Sequence, residues 1–302
     1  MNSTIASSNN PIRAATPTRP DGSTLTSLWA LYLLTVRQHI HGRRWMVMGA
    51  LFLLPAGLAV LVRATSDHDL PSVALEFLLA FLFIPQAILP LAALLYASGI
   101  IQDEQEEQTI TYLLMRPIPK WGIYLVKMLA AMTTTVALTV VFTALTYAAI
   151  HVNAEIATPD VTLRCLKAAA IHSLAIIAYC SLFGLLSLLT KRILVYGIIY
   201  IVVVEGLLAN LPFGIRLVTV IYYARLIAYR TLNFEAVMPN GQTEDLAAAA
   251  WQLDVRNDPE LLEHPLFSTC VMVLIIASLV CTVVAAWICT WREFHVKTPE
   301  KE

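Results

Sequence analysis

The chain has 302 residues, of which 58% are hydrophobic and only 14% are charged, and its formal net charge is −1. Soluble domains carry about 25% charged residues, so this composition argues against an ordinary soluble protein, and the lack of a basic excess argues against nucleic-acid binding. The apolar residues form blocks of about 20, the length that an α-helix needs to cross a bilayer core.

The N-terminal part of the chain precedes the first of these blocks. Residues 1–23 are rich in Ser, Thr, Asn and Pro, which predicts a disordered cytoplasmic tail, and they lack the apolar core of a signal peptide. Residues 25–41 repeat apolar side chains every three or four positions, which predicts an amphipathic helix in the membrane interface. The alternative is that this stretch forms the first turns of the first span. The repeated positions are Leu25, Leu28, Trp29, Tyr32, Val36 and Ile40.

The apolar blocks predict an all-α integral membrane protein with six transmembrane helices. Of the 20 Lys and Arg residues, 13 fall on the side that carries the N-terminus, which by the positive-inside rule makes both termini cytoplasmic. The six predicted spans cover about 45–63, 77–101, 121–150, 165–190, 193–210 and 268–290.

Proline residues interrupt the second of these spans, where Pro85 and Pro90 flank Gln86. A proline inside a span frees a backbone carbonyl and permits a kink. Two interpretations remain open: a structural kink, or a segment that lines a translocation path.

A stretch between the second and third spans, QDEQEEQTITYLLMRPIPKW at 102–121, is unusually polar for its surroundings. Its carboxylates favour the N-terminal end of a helix, where the macrodipole attracts negative charge, and Arg116 before Pro117 disfavours continuing that helix. An apolar face rimmed by charge favours a partner-binding surface over a solvated loop. The acids are Asp103, Glu104, Glu106 and Glu107, and the apolar face contains Ile110, Leu113 and Leu114.

The large connection between spans five and six, 211–267, is expected outside the cytoplasm. Its first part, FGIRLVTVIYYARLIAYR, is apolar but interrupted by arginines, which predicts a re-entrant or interfacial helix pair. Residues 243–252 follow as a predicted capped helix with Thr243 at the N-cap.

Ionisable groups inside spans are costly and mark candidate sites. Glu205 lies near the predicted outer end of span five, at a depth similar to that of Lys167 and His172 in span four. We expect Glu205 to pair with one of them, either as a structural pair or as part of a substrate contact.

The five cysteines have no CxxC or metal-ligand spacing, so packing roles are favoured, with a Cys165–Cys270 disulfide as the alternative. The sequence gives no catalytic motif and no metal site.

The segment DEQEEQTITYLLMRPIPKWGIYLVK resembles the cytoplasmic signature of ABC-2-type transporter permeases. In that family, acids precede a Gly-Thr-Leu step, a Leu pair, a Pro, a small residue and a basic residue. This chain departs from the pattern at Gln108, where the family usually has Gly, and at Pro119, where Ser is common. The matching positions are Thr109, Leu113, Leu114, Pro117, Lys120 and Lys127.

The resemblance implies an amphipathic elbow helix, six spans and an extracellular helical hairpin between spans five and six. It also implies that 102–120 is a coupling helix that docks on a separate cytoplasmic ABC ATPase. This chain has no GxxxxGK[ST] loop, so it is expected to be no enzyme and to hold no cofactor itself; ATP and Mg would be bound by the ATPase. Two ATPase copies, a second permease chain (the same or related) and membrane lipids are the implied partners, in a bacterial cytoplasmic (inner) membrane.

Two rival functions stay open. The first is a mechanotransmitting membrane subunit that acts on an extracytoplasmic protein without moving cargo. The second is an intramembrane enzyme that uses Glu205, Lys167 and His172.

Overall fold

The structure is a computed structural model. The predicted tail, residues 1–23, lies outside the residues it describes. Those residues are 24–65, 71–106, 119–152, 159–211, 214–237, 243–251 and 265–291.

Six helices of the described residues are long and apolar enough to cross a membrane. They lie where the sequence predicted them, with ends no more than six residues from the predicted ones. We call them spans one to six: Arg43–Thr65; Ser72–Leu75 with Glu76–Ile88 and Leu89–Glu106; Lys120–Ile150; Pro159–Leu189; Ile193–Ile199 with Tyr200–Leu207 and Leu208–Asn210; and Phe267–Trp291.

Spans two and four form the centre of the bundle. In each of them 61% of the most apolar window is buried, against 28% in spans one and five and 17% in span six. The outer spans therefore expose apolar side chains around most of their surface, as expected where the surrounding medium is lipid.

Spans two and five each contain a π-helical stretch, Glu76–Ile88 and Tyr200–Leu207. Such stretches are rare and occur often at functional sites. In span two the stretch includes Pro85, which has no N–H to donate, so the predicted interruption is present as a change of helix type. Each stretch also carries one fully buried glutamate, Glu76 or Glu205.

The helix Thr24–His41 is separate from span one. A bend at Gly42 divides them, and a Cβ at this position would lie 2.8 Å from the carbonyl oxygen of Gln38, so only glycine fits. The alternative that residues 25–41 begin the first span is therefore wrong. Leu31 packs on Ile123 of span three.

Between spans five and six lies a compact segment, which we call the distal segment (214–251, with 238–242 outside the described residues). Its last helix begins at Leu246 and not at Thr243, because Thr243 pairs in a β-strand and Asp245 Oδ1 accepts the N–H groups of Ala247 and Ala248 at 3.1 Å. The prediction of a helix capped by Thr243 is therefore wrong, while the all-α class holds apart from this one pair of three-residue strands. Its elements are the 3₁₀-helix Gly214–Val218, helix Val220–Thr231, strands Glu235–Val237 and Thr243–Asp245, and helix Leu246–Trp251.

Candidate functional site

The bundle has two ends with different chemistry. We call the end that carries the distal segment the distal end, and the opposite end, where the Thr24–His41 helix leads into span one, the proximal end. The described flanks of the predicted coupling element lie at the proximal end, and the predicted intramembrane polar residues lie towards the distal end.

At the proximal end, Asp103, Glu104 and Glu106 continue the helix of span two to its last residue. The expectation that these acids open a new helix is wrong. The helix continues because Gln and Glu are good helix formers and no proline occurs before Pro117, and this outweighs the unfavourable macrodipole at a helix C-terminus. The other predicted coupling residues lie outside the described residues: Glu107, Thr109, Ile110, Leu113, Leu114, Arg116 and Pro117.

The flanks of this connection contact other spans. Gln102 Nε2 donates to the carbonyl oxygen of Thr190, in the turn between spans four and five, at 3.0 Å. The carbonyl oxygen of Lys120, the first residue of span three, accepts from Cys289 Sγ of span six at 3.6 Å. Both ends of the connection are thereby joined to the proximal ends of neighbouring spans.

At the distal end, Glu205 caps the helix Val220–Thr231. Its carboxylate accepts the N–H groups of Val220 and Ile221, each at 3.0 Å, and the hydroxyl of Tyr200 at 2.8 Å. The first N–H groups of a helix have no partner within the helix and attract negative charge, so a buried carboxylate here satisfies both groups.

The expected pairing of Glu205 with Lys167 or His172 is wrong. Lys167 Nζ donates to the carbonyl oxygen of Thr231 at 3.1 Å, at the other end of the helix that Glu205 caps. His172 Nδ1 shares a hydrogen bond with the Thr143 hydroxyl of span three at 3.1 Å. The three side chains lie at similar depth in the bundle but do not contact one another, because each forms hydrogen bonds with the element packed against it.

A second buried carboxylate, Glu76, was missed by the sequence analysis. Arg164 Nε donates to both of its oxygens, at 3.1 and 2.9 Å, and the Tyr147 hydroxyl donates at 2.7 Å. Arg164 Nη2 also donates to the carbonyl oxygen of Asn233 in the distal segment, at 2.9 Å. The available signal is the position of this acid, one residue before the start of the predicted second span at 77.

Arg225, on the distal helix, joins three parts of the chain. Its Nη2 donates to Gln86 Oε1 in span two, and its Nη1 donates to Asn210 Oδ1 at the end of span five, at 2.9 Å. Its guanidinium carbon lies 5.9 Å from the centre of the Trp251 ring. Burial lowers the pKa of the Arg225 guanidinium, and the nearby Tyr179 and Glu205 oppose that shift.

Aromatic rings hold the distal segment against span two. Phe234 lies 5.0 Å from Phe81, and Trp251 lies 5.1 Å from Phe77, measured between ring centres. Aromatic pairs at such distances contribute about 0.5–1.5 kcal/mol each beyond the area they bury. The distal segment is therefore packed on the bundle and joined to it by the polar contacts of Glu76, Glu205 and Arg225.

The described residues contain no group of three or more His, Cys, Asp or Glu side chains that could hold a metal ion. Cys165 and Cys270 are both free thiols, so the disulfide alternative is wrong. The two buried carboxylates at this end, Glu76 and Glu205, bind a side-chain cation and a helix N-terminus respectively.

This fold defines a helical membrane protein with six candidate spans, in which a compact segment is fixed to one end by buried polar contacts. More specifically, the chain belongs to the ABC-2 family transporter proteins, whose family model matches residues 41–207, more than half of its length. The matched region covers spans one to four and most of span five. No curated protein matches the chain.

Proposed function

We propose that this chain is the permease subunit of an ATP-driven exporter, which couples ATP hydrolysis by a separate ABC ATPase to movement of a substrate across a bacterial cytoplasmic membrane. Membership of the ABC-2 family supports a permease with an ATPase partner. The excess of Lys and Arg at the proximal end supports a cytoplasmic location for that end and for both termini.

The observation that carries the coupling proposal is the pair of contacts around the connection between spans two and three. A force applied to residues 107–119 passes through Gln102 to Thr190 and through Lys120 to Cys289. It therefore reaches the proximal ends of spans four, five and six as well as spans two and three. An ATPase that binds this connection would therefore move most of the bundle together, which is the role of a coupling element.

The gripping surface consists of the acids at the end of span two and the apolar residues that follow them. Leu113 and Leu114 supply the apolar centre in this proposal, and the carboxylates supply a charged rim. The working unit then contains two permease chains and two ATPase chains, with ATP and Mg bound by the ATPase. The permease chain has no phosphate loop of its own and is not an enzyme in this scheme.

No described contact favours the rival function of mechanotransmission to an extracytoplasmic protein. The distal segment buries Tyr222, Leu226 and Trp251 against the rest of the chain. These three side chains are used within this protein, and we do not propose that they serve a partner.

The test is co-purification of the permease with a co-expressed candidate ABC ATPase. We expect the double variant Leu113→Asp with Leu114→Asp to recover at least tenfold less ATPase, because two buried charges at an interface cost several kcal/mol. The matched control carries the same two added charges near the C-terminus, Val296→Asp with Thr298→Asp, and should recover ATPase as the parent does. Unchanged recovery and unchanged ATP hydrolysis in the Leu113 and Leu114 variant would refute the docking assignment.

A further inference from the structure

Two buried hydrogen-bond donors lie side by side at the distal end with no acceptor. Arg225 and Trp251 are each only 6% exposed, and neither Arg225 Nε nor Trp251 Nε1 has a hydrogen-bond partner among the described residues. The guanidinium carbon lies 5.9 Å from the centre of the indole ring, so the two side chains are direct neighbours. Buried donors are nearly always satisfied, and an orphaned pair indicates a missing acceptor.

The protein's own carboxylate does not fill this role. Glu205 affects Arg225 electrostatically, but its oxygens accept from Tyr200, Val220 and Ile221. The two terminal nitrogens of Arg225 donate to amide oxygens, those of Gln86 and Asn210, and these carry no charge. The direct partners of the guanidinium are thus neutral, and its Nε nitrogen has no acceptor, as expected of a group that binds an anion.

The surrounding charge also favours an anion. Residues 206–234 contain three arginines, Arg216, Arg225 and Arg230, and no carboxylate. Lys167 reaches the same helix at the carbonyl oxygen of Thr231. These cations outnumber Glu205 around the helix Val220–Thr231, whereas the acids of the distal segment, Glu235, Glu244 and Asp245, lie in its two strands. The helix that carries Arg225 is therefore the cationic part of this end.

The site has an edge open to the surroundings. Asn210, which accepts from Arg225, is exposed, and Gln86 is half-buried.

We propose that Arg225 and Trp251 bind a phosphate oxyanion at the distal end, with Arg225 Nε and Trp251 Nε1 as donors to its oxygens. Phosphate fits because it offers several acceptor oxygens and negative charge to a planar guanidinium. The same chemistry is available from a lipid head group and from a free phosphate or phosphorylated cargo. This site goes beyond the proposed coupling function, and it requires only the permease chain.

The test uses the purified full-length permease in a sugar detergent, without an ATPase. Inorganic phosphate is titrated by isothermal calorimetry against a chloride blank, and a short-chain phosphatidylglycerol below its micelle concentration is titrated in parallel. Binding of inorganic phosphate alone identifies a free phosphate ligand. Binding of the phosphatidylglycerol, with displacement of phosphate, identifies a lipid head group. Binding of neither probe overturns the proposal.

The variants separate the site from general stability. Trp251→Phe keeps an aromatic ring against Phe77 and Phe234 and removes only the N–H donor, so it should fold and raise the dissociation constant about tenfold. Arg225→Lys keeps the charge but loses the Nε donor and should weaken binding at least as much. The control Trp287→Phe alters an exposed ring in span six and should leave binding unchanged. Parental affinity in Trp251→Phe would overturn the assignment.

Discussion

The Glu76–Arg164 pair offers a sharp test of the packing at the distal end. We consider Arg164→Met, which removes the guanidinium but keeps a long apolar side chain. The variant leaves the Glu76 carboxylate, whose side chain is only 2% exposed, with the Tyr147 hydroxyl as its remaining partner. It also removes the donor to the carbonyl oxygen of Asn233.

The expected magnitude follows from this burial. Removing one partner of a buried ion pair costs about 3–5 kcal/mol, because the other charge stays uncompensated. The Arg164 side chain is 22% exposed, and water near it screens part of the interaction. We therefore expect Arg164→Met to lower the free energy of unfolding by about 2–3 kcal/mol.

The double variant Glu76→Leu with Arg164→Met removes both charges. It leaves the buried Tyr147 hydroxyl without a partner, whereas the carbonyl of Asn233, an exposed residue, can bind water, so we expect a loss of about 1 kcal/mol. Each single variant should lose as much or more, so the double loss should fall well below the sum of the two. Unfolding by SDS in mixed micelles, followed by circular dichroism, gives the four free energies of the cycle. Additivity within about 0.5 kcal/mol would refute the pairing argument.

Three further outcomes are expected. Gly197→Ala should lower the free energy of unfolding by about 1–3 kcal/mol, because the added Cβ would overlap the Leu94 side chain. The control Gly57→Ala should be neutral or slightly stabilising, because its added Cβ would have no atom within 4 Å. Equal thermal midpoints for the two variants would contradict this. Asp245→Ala should destabilise the Leu246–Trp251 helix by about 1 kcal/mol, seen as faster hydrogen exchange at its first amides, and unchanged exchange would show that the cap is dispensable. Glu205→Gln should speed hydrogen exchange at the first amides of Val220–Thr231 about tenfold or more, because the neutral Gln side chain has one acceptor oxygen where the carboxylate has two. If exchange stayed slow while transport fell, Glu205 would act on the substrate and not as a cap.

The sequence predicted the spans well because each span is decided locally. A helix of about 20 apolar residues satisfies its own backbone hydrogen bonds and needs no distant partner to cross a membrane. For the same reason the ends of Lys120–Ile150 and Ile193–Asn210 could be read from composition and turn residues alone. The helix to which the acids after residue 102 belong was harder to predict. The end of a helix depends on a balance between helix propensity and the macrodipole, and the sequence of one segment does not show which of them prevails.

The polar contacts could not be predicted, because they depend on which helices pack side by side. Glu205 and Lys167 both belong to the distal end, as expected, but they bind opposite ends of the helix Val220–Thr231. Nothing in the sequence shows that a backbone N–H 15 or 16 residues away is the partner of Glu205, or that Arg225 reaches Gln86 across 139 residues.

The sequence by itself determined the membrane class, the six apolar helices and the polar connection between spans two and three, since hydropathy and length fix these one segment at a time. The tertiary structure decided how the buried charges are satisfied. In a low-dielectric interior each charged group must take whatever partner the packing brings within about 3 Å, and that partner is set by the arrangement of the whole bundle.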